Sequence, residues 1–340
     1  MPRTLAIDLS VLEAPHPAGV ARYARSLAST LSEAMPAWRI IGICQSTKGM
    51  EELANHLDLI AVGPSWPRPL WRRWVLSRAA RRHGADILHV PVSHAPRVRG
   101  VVVTRCVHDV AAAAGQHDGY GGARRAERRR LHHSVPTVFP SAATQAAFSS
   151  LAPAFNAPTE VIHHGVESRF FEAPPHTMDL PDVFGLVVGT VRPRRQPTLL
   201  NAAASRLPGV SILWAGHGVA PDNTDHLRFI GPVTESELIE LYHRAQFTVL
   251  PSDIEGFGLP LLEAMAAGKP VVAANCAALR EIGGGWPIYF ESGNEQSLHA
   301  ALTFAAATPD STVHELSRSH AARFTWSRCA LAHAAFFEDQ

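Results

Sequence analysis

Two carboxylates, Glu255 and Glu263, bracket the segment of this sequence best suited to hold a ligand. They stand in FTVLPSDIEGFGLPLLEAMAAGKPVVAAN, residues 247–275. Phe247–Leu250 reads as a strand, and Pro251 to Glu255 as the loop at its carboxyl end. Gly256, Phe257 and Gly258 follow, and glycine lets a backbone come close to a ligand because it has no Cβ. Pro260 suits the first helical position, where a missing N–H costs nothing, and Gly268 suits the position just past the helix end. Such a helix start presents free N–H groups and the positive end of a dipole, a setting for a diphosphate. Glu255 on the loop and Glu263 about one turn inside the helix can both accept from paired sugar hydroxyls. Together these features describe a nucleotide-sugar site. Taken alone, they also fit a carboxylate serving the helix dipole and a solvated loop residue.

The elements that must position these residues are legible as short apolar runs. Leu5–Ile7, Ile40–Ile43, Ile87–Val90, Val101–Val103, Thr137–Phe139, Leu186–Val188, Val210–Trp214, Phe247–Leu250 and Val271–Ala273 read as buried parallel strands. Stretches with helical spacing lie between them: Val20–Leu31, Leu70–Arg82, Glu235–Arg244 and Pro260–Ala267. Strand–helix alternation argues for α/β folding with helices on both faces of parallel sheets. Residues 169–182 have no periodicity and are rich in proline, and so read as a linker. The expectation is one α/β domain over 1–168, a second over 183–322, and a helical tail over 323–340 packing back on the body. Ligands in open parallel sheets bind outside the carboxyl ends of the strands.

The 247–275 segment resembles that of glycosyltransferase family 4 over Pro251-Ser252, Glu255-Gly-Phe-Gly-Leu-Pro260, Glu263-Ala-Met265, Gly268 and Pro270 to Ala273, the family's Glu-x7-Glu motif. The resemblance continues elsewhere. Val188 to Gln196, VGTVRPRRQ, is similar to VGTxxPRKN, with Arg195 where lysine is usual and Gln196 where asparagine or glycine is common. Gly231 to Tyr242 is similar to GxVxxxELxxLY. In the first half the match is looser but in order: Ala6 to Leu9 with Gly19-Val-Ala-Arg-Tyr23, Asp86 to Val90, Val103 to Asp109, Phe139 to Ser141, and Val161 to Val166 with His164 where asparagine is common. It covers roughly residues 5–335.

The resemblance implies a GT-B fold, two Rossmann-like doubly wound parallel-sheet domains facing a cleft, with the acceptor side in the first domain and the donor side in the second. It implies a retaining hexosyltransferase that moves a mannose- or rhamnose-type sugar from a nucleoside-diphosphate donor to a glycan or lipid-linked acceptor in surface polysaccharide synthesis. Catalytic roles fall to Glu255, His108 and Arg194, and donor contacts to Gly19, Arg194, Arg195, Glu255, Gly256, Phe257, Gly258, Leu259 and Glu263. Glu255 would hold donor sugar hydroxyls, Glu263 the ribose, and His108 the sugar near the breaking bond; His163 and His164 are lesser candidates. Two readings stay open beside it: an inactive GT-B-like nucleotide- or sugar-binding protein, and a GT-B-type sugar epimerase. A dinucleotide oxidoreductase is disfavoured, since no GxGxxG follows the first strand.

Composition narrows the partners. A formal net charge of +1 gives no global field for nucleic acid. Cys44, Cys106, Cys276 and Cys329 form no CxxC pair, which fits buried thiols better than a disulfide framework or zinc site. No HExxH and no magnesium-type acidic spacing occurs, so neither cofactor nor divalent metal is expected. No run reaches the roughly 20 apolar residues that span a bilayer, and no basic start precedes an apolar leader, so a cytoplasmic location is expected. The basic, aromatic stretch Trp66 to Trp74 with Arg78, Arg81 and Arg82, and the run Arg124, Arg125, Arg128, Arg129 and Arg130, suit an anionic lipid or lipid-diphosphate acceptor at the inner face of the plasma membrane, or a solvated helix face.

Overall fold

A computed structural model describes residues 2–13, 19–63, 66–114, 127, 129–218, 224–308 and 312–340. Its described residues form two compact units. One holds those up to 114, 127–165 and Thr325–Gln340; the other is Val166–Phe324.

The first unit is built on a seven-stranded sheet in the order β3-β2-β1-β4-β5-β6-β7. Its strands are β1 (Thr4–Asp8), β2 (Arg39–Cys44), β3 (Asp58–Ala61), β4 (Ile87–Val90), β5 (Val102–Cys106), β6 (Thr137–Phe139) and β7 (Thr159–Val161). The second unit has a six-stranded sheet in the order β10-β9-β8-β11-β12-β13, from β8 (Phe184–Val188), β9 (Ser211–Ala215), β10 (Leu227–Gly231), β11 (Phe247–Leu250), β12 (Val271–Ala274) and β13 (Ile288–Phe290). Every strand pair is parallel. In each sheet the order reverses once, between β1 and β4 and between β8 and β11, the doubly wound pattern whose switch point opens a crevice at the strand carboxyl ends.

Each of the nine apolar runs read from the sequence coincides with a strand, those at Val101 and Val210 beginning one residue before β5 and β9. The four strands without such a run, β3, β7, β10 and β13, are the four sheet edges. An edge strand covers one side only, and these contain exposed or half-buried positions instead of a continuous apolar stretch. Strand β5 runs on to Cys106, past the expected end at Val103. Arg105 and Cys106 pair with β4 and β6 there, and the buried Arg105 side chain is satisfied by donating to the carbonyls of Ser93, Arg130 and Leu131 and to the Thr137 hydroxyl. The helical stretch expected from Leu70 starts at Arg68 and includes a π-helical turn over Arg72–Leu76.

Helix α1 (Gly19–Ala34) packs against the final helix Trp326–Glu338 in the first unit. Thr325 caps that final helix by accepting from Arg328 N. Gly165 lies beneath its start, where a Cβ would stand 2.3 Å from Trp326 N. In the second unit, the proline-rich stretch before β8 is tied down by Glu240, which accepts from Thr177 N, Thr177 Oγ1 and Met178 N.

Candidate functional site

The second unit brings its predicted residues to the carboxyl ends of β8 and β11, on either side of the switch point. After β8 the chain makes a 3₁₀ turn, Pro193–Arg195, and after β11 it makes the loop Pro251 to Gly258. The two loops are joined: Asp253 N donates to Arg194 O at 3.1 Å, Gln196 Nε2 to Pro251 O at 2.6 Å, and Arg194 Nη1 to Ile254 O at 3.5 Å. Gln196 adopts the left-handed region, φ 50°, the one non-glycine residue with positive φ among those described. Asparagine and glycine enter that region at lower cost, which gives a physical reason for their frequency at the corresponding place in the resembled motif.

Arg195 folds back over Gly189. The backbone there has φ +121°, which favours glycine, and a Cβ would lie 1.8 Å from Arg195 Nη1, so any other residue also displaces the guanidinium. The guanidinium donates to Val188 O and stands 3.6 Å from Glu255 Oε1. Burial lowers its pKa and Glu255 opposes that shift. Its buried Nε has no hydrogen-bond partner among the described residues. A guanidinium stays ionised regardless, so a cation with spare donor capacity sits beside a half-buried carboxylate.

Helix Leu259–Ala266 begins one residue earlier than expected, placing Pro260 at the second helical position, where the N–H is equally dispensable. Gly258, φ +95°, is its cap, and Gly268, φ +71°, follows its end as expected. Glu263 is buried and accepts from the Tyr242 hydroxyl at 2.7 Å. Tyr242 lies on the helix Glu235–Arg244, which opens with a full Thr234/Glu237 capping box. The Phe257 and Leu259 side chains are buried, Phe257 against Phe324. The expected donor contacts of Phe257 and Leu259 therefore do not fall on exposed side chains.

In the first unit Gly19 is the exposed first residue of α1, and the preceding residues 14–18 lie outside the described residues. His108 follows β5. Its Nδ1 lies 3.2 Å from His164 Nε2, and its buried Nε2 has no hydrogen-bond partner among the described residues. Burial pulls the His108 pKa down to about 4 against the pull of Asp109, so the imidazole is neutral near pH 7. His164 is buried and neutral for the same reason.

Part of the expected basic, aromatic surface is interior. Trp71 is fully buried and donates to Val62 O at 3.0 Å; Arg72 pairs with buried Asp8 at 2.5 Å and donates to Ser10. Residues 64 positions apart give no local signal of that pair. Trp66, Leu70 and Trp74 remain exposed, with Arg73, Arg78, Arg81 and Arg82. Arg130 pairs with Glu127 at 3.0 Å, Arg129 is exposed, and Arg124, Arg125 and Arg128 lie outside the described residues. Cys44, Cys106 and Cys329 are buried free thiols, whereas Cys276 is half-buried. No group of three or more metal-binding side chains, and no helix long and apolar enough to cross a membrane, occurs among the described residues.

Two parallel-sheet units of this topology define a GT-B fold. The chain matches the family model for Glycosyltransferase Family 4 over residues 17–170 and that for Glycosyl transferases group 1 over 220–318. It belongs to glycosyltransferase family 4. A D-inositol 3-phosphate glycosyltransferase of Mycolicibacterium smegmatis is 31% identical over 201 residues, 49% of this chain and 44% of the relative. The protein of that name from Mycolicibacterium gilvum is 32% identical over 199 residues, 49% and 43% of the two chains. The match thus spans less than half the length of these relatives. Among solved structures, sucrose-phosphate synthase from Thermosynechococcus elongatus aligns with a TM-score of 0.78 at 19% identity, covering 99% of this chain and 98% of that one. Anabaena HepE in complex with UDP and glucose aligns at 0.75 and 16% identity, covering both chains fully (100% and 100%).

Proposed function

We propose that the chain is a retaining, nucleotide-sugar-dependent hexosyltransferase with the donor bound by the second unit. The observation that carries this reading is the convergence of Arg194, Arg195, Glu255 and the start of helix Leu259–Ala266 at the β8/β11 switch point. Two guanidinium groups and a helix start supply fixed positive charge where the leaving diphosphate gathers negative charge. That charge is the argument for chemistry without a divalent metal. Glu255 holds donor sugar hydroxyls and Glu263, steadied by Tyr242, the ribose hydroxyls, while main chain at Gly256 to Leu259 approaches the phosphates. In the first unit, Gly19 and His108 are the residues that the family resemblance assigns to the donor, His108 to its sugar.

In the reaction the bond from the anomeric carbon to the leaving phosphate oxygen breaks, and the diphosphate takes the electron pair. An acceptor oxygen bonds to that carbon on the same face, and its proton passes to the leaving phosphate oxygen. The named complex of HepE with UDP and glucose supports a nucleoside-diphosphate sugar as donor. The named relatives support a phosphorylated polyol as one acceptor class; a lipid-diphosphate glycan in surface polysaccharide synthesis, with mannosyl or rhamnosyl transfer, is the other. Exposed Trp66, Leu70 and Trp74 among arginines support contact with anionic lipid at the inner membrane face.

A thermal-shift series with UDP, GDP, ADP and dTDP tests the donor reading. At a ligand concentration 100 times Kd the cognate base stabilises the fold by about 2.7 kcal/mol. Glu255→Ala then abolishes transfer with the melting temperature retained. Full activity in that variant overturns the site, and tight nucleotide binding with no transfer or donor hydrolysis favours an inactive binding protein.

A further inference from the structure

The first unit packs four histidines around one tyrosine, three of them buried and His108 partly so, and the hydrogen bonds of the buried chain can be given a direction. His333 Nδ1 lies 2.8 Å from the Cys329 carbonyl. A carbonyl only accepts, so Nδ1 carries the proton. Burial keeps His333 neutral, which makes its Nε2 an acceptor, and the Tyr23 hydroxyl 2.8 Å away donates to it. The Tyr23 oxygen is left to accept from His89 Nε2 at 2.9 Å. His89 Nδ1 then accepts from the Thr104 hydroxyl, also at 2.9 Å. The Cys106 thiol reaches the same tyrosine oxygen. One polarity therefore runs from Thr104 through His89, Tyr23 and His333 to the Cys329 carbonyl, linking β5, β4, α1 and the final helix.

The ring pinned by this chain is the wall on which His108 rests. Tyr23 meets His108 edge-on at 4.9 Å between centroids and His164 at 4.7 Å. His108 is held by His164 Nε2 at 3.2 Å and by a hydrogen bond to the Pro91 backbone. Tyr23 is the ring nearest to His108, nearer than His164 at 5.3 Å between centroids, and adds a fixed aromatic wall to those two bonds.

We propose that Tyr23 is the positioning residue of the first unit's site: anchored by His89 and His333, its ring sets the rotamer of His108 and keeps His108 Nε2 presented to the ligand. The proposal rests on reading His108 as a contact to the donor sugar. It gives the final helix a functional part, since His333 is the acceptor that holds the Tyr23 hydroxyl in place. The signal in the sequence was slight: Tyr23 followed Gly19 in a recognisable stretch, but His333 lies 310 positions away.

The test uses the full chain labelled with ¹⁵N-histidine, and UDP-glucose, GDP-mannose, ADP-glucose and dTDP-rhamnose as donors whose hydrolysis is followed. Tyr23→Phe keeps the ring and removes the hydroxyl. The expected result is that the His108 ring-nitrogen signals pass from one tautomer to an averaged pattern. Donor turnover falls about tenfold at unchanged KM, the pattern of an interaction made only in the transition state. In a His108→Ala background the same change has almost no further effect, as coupled residues require. His333→Gln, which offers an amide oxygen to Tyr23, returns both readouts towards wild type, whereas His333→Leu behaves as Tyr23→Phe; this pair carries the test if Tyr23→Phe does not fold. Unaltered His108 signals and turnover in Tyr23→Phe, or an equal loss with and without His108, overturn the proposal. A fully active His108→Ala variant sinks the reading of His108 instead, and the ring spectra alone then decide whether Tyr23 holds that ring.

Discussion

Tyr242 donates a 2.7 Å hydrogen bond to Glu263, and both side chains are buried in the second unit. The tyrosine belongs to the helix after β10 and the glutamate to the helix after β11. The bond therefore fixes the spacing of two helices as well as the direction of one carboxylate. Tyr242→Phe removes one hydrogen bond to a buried charged group, at a cost of about 1.5–3 kcal/mol. Urea unfolding reads the loss, and titration with the stabilising nucleoside diphosphate is expected to show weaker binding. Unchanged stability would mean that Glu263 is satisfied without the tyrosine.

Gly189 is tied to Arg195 more tightly than any sequence pattern conveys. A methyl group there meets the guanidinium at 1.8 Å and must also accept φ +121°. Gly189→Ala is expected to push Arg195 off the Val188 carbonyl and away from Glu255, at about 1–3 kcal/mol of backbone strain alone. Nucleotide affinity falls with it. A variant with wild-type melting temperature and nucleotide affinity removes Arg195 from the proposed diphosphate site.

These two relationships show where reading the sequence succeeds and where it stops. Central strands announce themselves as unbroken apolar runs because both their faces are covered. Edge strands such as Asp58–Ala61 and Thr159–Val161 are half-solvated and carry no such run. The loop from Pro251 to Gly258 is legible because local backbone demands select its glycines and proline. Long-range pairings leave no local trace: Asp8 with Arg72, Tyr23 with His333, and Tyr242 with Glu263 are joined only by the fold. Aromatic and basic residues around Trp71 misled for a related reason. Composition does not tell which side of a helix faces inward, and Trp71 and Arg72 are interior.

Gln196 sets two effects against each other. Its left-handed backbone costs roughly 1–2 kcal/mol relative to glycine. Its side chain donates to Pro251 O and Ser292 Oγ and accepts from Gly293 N. Three hydrogen bonds at about 1 kcal/mol each outweigh the relief of strain. Gln196→Gly is therefore expected to destabilise the chain by about 1 kcal/mol and to loosen the loop carrying Glu255. A rise in melting temperature for this variant would show that strain dominates.

Acid should unlock the first unit before the second. His89, His108, His164 and His333 all have pKa values lowered by burial, His108 and His333 to about 4. In the unfolded chain each titrates near 6.5. Between those values the unfolded state binds more protons than the folded one, so stability falls as pH falls. The contribution is fully present above about pH 6.5 and falls away below it, for His108 and His333 progressively down to about 4. For His333, fully buried, the difference amounts to about 3 kcal/mol. Protonation also reverses the polarity at Tyr23, because His333 Nε2 would then compete to donate to an oxygen that His89 already serves. Denaturant unfolding at pH 7.5 and pH 5 should show a marked drop in stability at the lower pH. Replacing His333 by Gln, which has no titrating group, should make that dependence shallower by the His333 share while the other three histidines keep theirs, and an equally steep pH profile in His333→Gln would remove His333 from this account.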